Sequence, residues 1–203
     1  MRRRLQTRLR KFALGLCLSS LLLVTLSVVG HWVERTRNAS EEYAVYSAYL
    51  SQGISEDAHD WSVDVPIDVV VTDRTKVGGN LRWWRLYALD FRRKFDHVSA
   101  VTNYSFVIRN LFRTTVTDHF QLPRRASVAI ASESEVESPD FYKRHLRAIG
   151  YVTVSGVGFN GNHTQAMFYI DHFCGLCGGG RYVLMNKVSG RWRVADEHYT
   201  WIS

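Results

Sequence analysis

Nineteen consecutive positions, Phe12 to Gly30 (FALGLCLSSLLLVTLSVVG), carry neither charge nor proline. As a helix rising about 1.5 Å per residue, such a run is roughly 28 Å long, close to the thickness of a bilayer's hydrocarbon core. Cleavable signal peptides use a shorter apolar region, about 7–15 residues, so the pattern predicts a retained transmembrane anchor. Cleavage near the small residues Val28 and Gly30 is the alternative. Cys17 falls inside the run behind bulky Leu16 and reads as a lipid-facing residue.

After the anchor the spacing becomes amphipathic. Tyr43, Tyr46 and Leu50, at i, i+3 and i+7, predict a helix over EEYAVYSAYLSQ, capped by Asn38 or Ser40 and stopped by Gly53. Its tyrosine stripe reads as core packing. SEDAHDWSVD is a polar connector, and the valine-rich PIDVVVTD, Pro66 to Asp73, predicts a strand. Gly78-Gly79-Asn80 marks a turn. LRWWRLYALDFRRKF predicts a helix with Leu81, Trp84, Leu86, Leu89 and Phe95 inward. The stretch from Asn103 to Phe120 is read as helical and is broken by Pro123. ASVAIAS predicts a strand, SESEVES an exposed acidic link, and PDFYKRHLRAI a short helix with proline in its first turn.

Four strand-like runs close the chain: Tyr151 to Phe159, Gln165 to Phe173, Arg181 to Lys187 and Arg191 to Ile202. Links as short as NGNH, CGLCGGG and VSG favour antiparallel neighbours, so these runs predict a four-stranded meander. The whole reads as α+β: an N-terminal transmembrane helix, then helices packed on an antiparallel sheet. Residues 1–11 form a cytoplasmic basic segment, 12–30 the anchor, 31–65 a juxtamembrane helix and connector, and 66–203 an extracytoplasmic α+β domain.

Charge supports the orientation. Of the formal net charge of +7, six basic residues lie in MRRRLQTRLRK, which leaves +1 for the rest. The positive-inside rule therefore places the N-terminus in the cytoplasm and the bulk of the chain outside. Near-neutrality of that bulk removes the electrostatic case for a nucleic-acid partner. The expected partners are the lipid bilayer through residues 12–30 and a protein or small molecule outside the cytoplasm. From Glu34 to Asp68 there are eight acidic and two basic residues, and from Val69 to Ser132 eleven basic and four acidic. Such blocks are expected to meet and partly cancel in the fold.

The densest chemistry is HFCGLCGGGRY, His172 to Tyr182. A thioredoxin-like pair opens a helix, which lowers the thiol pKa; here a glycine run and a strand follow. Haem attachment needs a histidine after the second cysteine, where this chain has Gly178. Three readings stay open. Cys174 and Cys177 form a structural disulfide, the simplest fate in an exported domain; they bind a metal with His172 and His198; or they are redox-active. Asp171, His172, Glu197 and His198 would make an acid–base or metal cluster if the second and fourth meander strands converge.

GVGFNG matches G-x-G-x-x-G, but a strand follows it instead of a helix, so it reads as a glycine-rich hairpin turn. Nucleophile-elbow, zinc-protease and P-loop motifs are absent. His97, His119 and His145 are scattered, and Asn38, Asn103 and Asn162 each open an N-x-S/T sequon. No cofactor is expected.

The tail resembles a group of bacterial exported or membrane-anchored proteins of unknown function. Their tails look like VGFN, then QAMFYIDHFCGLCGGGRYVLM, a K…GRW.V strand and a final WIS; EEYAVYSAYL is similar as well. The resemblance covers about the last third of the chain plus that helix. It implies export and the meander, and it transfers no catalytic residue. The resulting expectation is a binding or interaction module, not an enzyme, with Trp83, Trp84 and Trp201 contributing apolar area to a groove between helices and sheet. The alternative is a cell-envelope enzyme, or a thiol-redox or metal-dependent protein, using Cys174 and Cys177.

Overall fold

The computed structural model describes residues 39–53, 67–76, 95 and 97–203, together with Leu22, Thr25, Val28, Val29 and Val33. The chain divides into two compact units, Met1–Asn38 and Ala39–Ser203. In the first, the five described residues are helical, and the Thr25 hydroxyl donates to the Leu22 carbonyl at 3.1 Å. Among the described residues, no helix is long and apolar enough to cross a membrane. The expected anchor, 12–30, lies mostly outside them. So do residues 1–11, the connector 54–66, the Gly78–Asn80 turn and all of the 81–95 helix except Phe95.

The second unit is α+β. In chain order its elements are α1 (residues 39–53), β1 (Ile67–Thr72), α2 (Ala100–Arg109), β2 (Ala126–Ala131), α3 (Glu133–Val136) and α4 (Phe141–Arg144). Then come β3 (Tyr151–Val154), β4 (Gly158–Phe159), β5 (Gln165–Phe173), β6 (Gly178–Val188) and β7 (Arg191–Ile202). One sheet holds the strands in the order β2-β1-β3-β5-β6-β7, with β4 beside β5.

The meander is present, β3, β5, β6 and β7 being antiparallel neighbours. The expectation of a wholly antiparallel sheet is corrected, because β1 runs parallel to both β2 and β3. The reason is connection length. Helix-bearing segments separate β1 from β2 and β2 from β3, and they return the chain to the same end before each new strand.

Local rules explain the other departures. The run 151–159 is interrupted: Val154 faces Ile170 while Gly158 faces Met167, four residues set against three, which is a bulge at Ser155–Val157. SESEVES is not only an exposed link but α3; Ser132 caps it by accepting from the Glu135 amide at 3.2 Å, and Val136 is buried. Its Ser-x-x-Glu spacing is the capping-box pattern. The 103–120 stretch yields one helix, α2, which starts earlier at a Ser99 cap and stops at Asn110. Ser40 lies inside α1 and is not its cap, and PDFYKRHLRAI supplies only α4. The glycine triplet expected in a loop belongs to β6, where Gly178, Gly179 and Gly180 pair with Phe173, His172 and Asp171.

The core occupies both faces of the sheet. On one, Val45, Tyr46 and Tyr49 of α1 cover Val71, Val154, Phe168, Ile170, Val183 and Met185. Each such side chain contributes about 2 kcal/mol by leaving water. On the other, Phe95 and Phe106 pack on Met167, Tyr182 and Leu184, while Val136 and Phe141 pack on Val70 and Ala131. Helix α2 sits so close to β4 that a methyl at Gly158 would overlap the Phe106 backbone. The edge strand β7 is broken by register shifts opposite Gly180/Arg181 and Leu184/Met185, which blunt it against edge-to-edge pairing.

At the start of β1, Asp68 accepts from the Ser127 hydroxyl (2.5 Å) and from two nitrogens of Arg147 (2.7 and 3.0 Å). The Ser127 bond first, and Arg147 with it, hold this carboxyl below its ordinary range. A folded-state pKa lying below the unfolded one stabilises above the unfolded value, and that contribution is lost as pH falls through the folded one. The urea midpoint of wild type should therefore exceed that of Asp68→Asn at pH 7, and the gap should close below roughly pH 4. A gap that persists unchanged at pH 2 would rule this linkage out.

Candidate functional site

Strand alternation sends Met167, Tyr169 and Asp171 of β5 to the face away from α1. Opposite Asp171 in β6 stands Gly180, and opposite Gly180 in β7 stands Trp201. Lys76 arrives from the segment after β1, where its amide donates to the Val154 carbonyl at 2.8 Å and prolongs the pairing alongside β3. Lys76, Tyr169, Asp171, Thr200 and Trp201 thus converge between the two apolar clusters of this face.

Asp171 is fully buried. Its Oδ1 accepts from the Tyr169 hydroxyl at 2.5 Å and from Trp201 Nε1 at 2.9 Å, and its Oδ2 accepts from Lys76 Nζ. Thr200 Oγ1 lies 3.1 Å from the Tyr169 hydroxyl and donates to the Gly180 carbonyl at 2.9 Å. Burying a carboxylate costs several kcal/mol unless charge and donors compensate it, and here three donors do so. Burial, and then the bond to Asp171, push the Tyr169 hydroxyl up to about 12, so it remains a donor at neutral pH.

The space for this cluster is the missing side chain of Gly180. A methyl there would overlap Tyr169 Oη, Trp201 Nε1 and Asp171 Oδ1 together. Both Asp171 oxygens are engaged, so it is not poised as a general base. Lys76 is different. Its side chain is 42% exposed, it lies 5.5 Å from the Tyr169 ring centre, and an ammonium has three donors, of which Asp171 takes one. A half-buried aromatic row continues beside it, with Trp201 5.4 Å from Phe173 and Phe173 stacked on Tyr151 at 4.9 Å. The arrangement offers a fixed cation over the Tyr169 ring with further rings nearby, which is chemistry for an anionic group on an apolar or flat body.

Of the residues singled out in the sequence, Asp171 and Trp201 belong to this cluster, while Trp83 and Trp84 lie outside the described residues. Cys174 and Cys177 are joined in a disulfide, Cα atoms 5.0 Å apart, across the turn between β5 and β6. His172 lies on the α1 face. His198 faces the other way, opposite Tyr182 and 6.3 Å from the Phe95 ring. Glu197, on the α1 face, accepts from the Tyr49 hydroxyl at 2.7 Å. Asp171, His172, Glu197 and His198 are therefore split between two faces. Among the described residues, no group of three metal-ligating side chains is assembled.

His119 packs on Tyr43, and His145 lies 3.2 Å from Glu135. Asn103 is buried in α2, Asn162 is exposed in the turn before β5, and GVGFNG spans the bulge and β4. Sequence reasoning missed Lys76, Tyr169 and Gly180. One signal was available: an aspartate and a tyrosine two apart in an apolar strand must share a face. No family model, curated protein or solved structure matches this chain.

Proposed function

We propose that the chain is an anchored binding module. Residues 12–30 hold it in a bilayer, residues 1–11 stay in the cytoplasm, and residues 66–203 work outside, where Lys76 takes an anionic group of a small-molecule or protein partner. The uncharged run and the six basic residues ahead of it support the placement. A disulfide between Cys174 and Cys177 suits an oxidising compartment. The observation that carries the binding role is Lys76: a buried carboxylate pins its ammonium, yet much of its side chain remains open to solvent beside half-buried rings. The cysteine pair is a staple next to that site. No helix follows it to lower a thiol pKa.

Two measurements test this reading. Alkaline phosphatase fused after Ser203 should be active only if the tail is outside; a reporter that works only in the cytosol overturns the placement. For binding, the full chain in lipid nanodiscs is titrated with 2-naphthoate and with its neutral analogue 2-naphthamide. Naphthoate should bind the more tightly, and Lys76→Met should lose roughly tenfold of that affinity, the worth of one charge-assisted bond. Equal binding of the two probes, or of wild type and variant, removes the role assigned to Lys76.

A further inference from the structure

We propose that the Cys174–Cys177 disulfide is a redox gate on the Lys76–Asp171 site, an inference that rests on reading that site as the binding site. Strand β6 opens with Gly178, Gly179 and Gly180, and Gly180 forms the floor of the cluster. Glycine is a poor strand former because it loses the most backbone freedom on ordering and packs no side chain. Three in succession need an external constraint, and the disulfide supplies one by tying the end of β5 to the residue before Gly178.

The end of β7 depends on the same glycines, since Trp201 pairs with Gly180 and Ile202 with Gly179. Trp201 is a donor to Asp171, and its ring packs on Phe173, next to Cys174. The bond is also reachable: Cys177 is exposed, and Leu176 beside it is 102% exposed.

The reductant is a dithiol, either a small molecule or a thioredoxin-like protein. One of its thiolates attacks the exposed Cys177 sulfur. The S–S bond breaks, a mixed disulfide forms on Cys177, and Cys174 leaves as a thiolate that takes up a proton. The second thiol of the reductant then attacks the mixed disulfide, which releases the oxidised reductant and the Cys177 thiol. Two electrons and two protons pass from the reductant to the cysteine pair. The turn then keeps its backbone bond, Cys174 N–H to the Cys177 carbonyl, 2.9 Å between heavy atoms, and the contact of Cys177 Sγ with the Cys174 carbonyl at 3.6 Å, but no covalent tie. The glycine strand frays, Trp201 leaves Asp171, and Lys76 loses its fixed position. The oxidised protein binds and the reduced one releases.

The test is hydrogen exchange read by mass spectrometry on the full chain in nanodiscs, before and after dithiothreitol. Amides of residues 178–182 and 199–203 should exchange about 20-fold faster after reduction, the factor that the loop entropy of so short a ring implies. Those of residues 183–188 should not change. A Cys174→Ser/Cys177→Ser variant should exchange at the fast rate with or without reductant. Equal rates in the two redox states overturn the gate, and so does acceleration spread evenly across β5, β6 and β7. Wild type itself separates the two proposals, because its preference for naphthoate and its redox-dependent exchange are read independently. If wild type shows the exchange change but no naphthoate preference, the binding reading fails and the assignment of that site as the thing gated fails with it, while the disulfide's hold on the glycine strand stands.

Discussion

Gly180→Ala should cost about 3 kcal/mol of folding stability, where the neighbouring Gly179→Ala should cost under about 1 kcal/mol. The two positions share a strand, a residue type and a pairing partner strand, so propensity alone treats them alike. Their surroundings differ. A methyl at Gly179 would meet the Trp201 carbonyl at 3.3 Å and Ile202 at 3.9 Å, a tight but adjustable fit. A methyl at Gly180 would fall on three polar atoms that are bonded to one another around a carboxylate with no exposure. Moving any of them leaves a buried donor or the Asp171 charge without its partner, and that penalty adds to the overlap. Urea denaturation of both variants makes the comparison. If the two midpoints fall together, Gly180 is not holding the cluster open.

Glu42→Ala should be still more damaging, by about 3–5 kcal/mol, enough to leave a domain of ordinary stability mostly unfolded at moderate urea. Arg109 is only 2% exposed, and its NH2 donates to Glu42 Oε2. The other carboxylate oxygen accepts from the Tyr46 hydroxyl and from the Val157 amide, both at 2.9 Å. The single Tyr46 hydroxyl proton is shared between Glu42 and the Ser155 carbonyl, which lies 2.5 Å from the hydroxyl oxygen. Glu42 thereby ties α1 and α2 to the bulge between β3 and β4, and its removal strands a guanidinium in the interior.

Arg109 Nε and NH1 already have no hydrogen-bond partner among the described residues, so the pair is costly to bury even when intact. The double variant Glu42→Leu/Arg109→Leu should consequently regain most of what the single variant loses. A double-mutant cycle in urea measures this coupling. If the double variant is as unstable as the sum of the two single ones, the charges act independently and the tie does not exist.

Much of this architecture was readable along the chain wherever the cause is local. The α1 stripe, the valine-rich β1, ASVAIAS and the last four runs declare themselves because periodicity and turn residues act over a few positions. Departures arose where a distant partner decides. The glycine triplet resembles a loop until Asp171 on one side and Trp201 on the other hold it in a ladder. The direction of β1 depends on where long helical connections return the chain.

The same division applies to the site. By itself the sequence determined the α+β composition, the C-terminal meander, the nineteen-residue uncharged run and a cysteine pair close enough to bond. It also marked Asp171 and Trp201 as residues to watch, since a charge in an apolar strand and an aromatic near the chain's end are visible without a fold. Only the tertiary structure decided which side chains meet. It brought Lys76 from beyond β1 and Tyr169 from β5 onto Asp171, and it put His172 and His198 on opposite faces. Strand pairing joins residues as far apart in the chain as Val70 and Tyr151, and a shift of one residue in register reverses the face each side chain occupies.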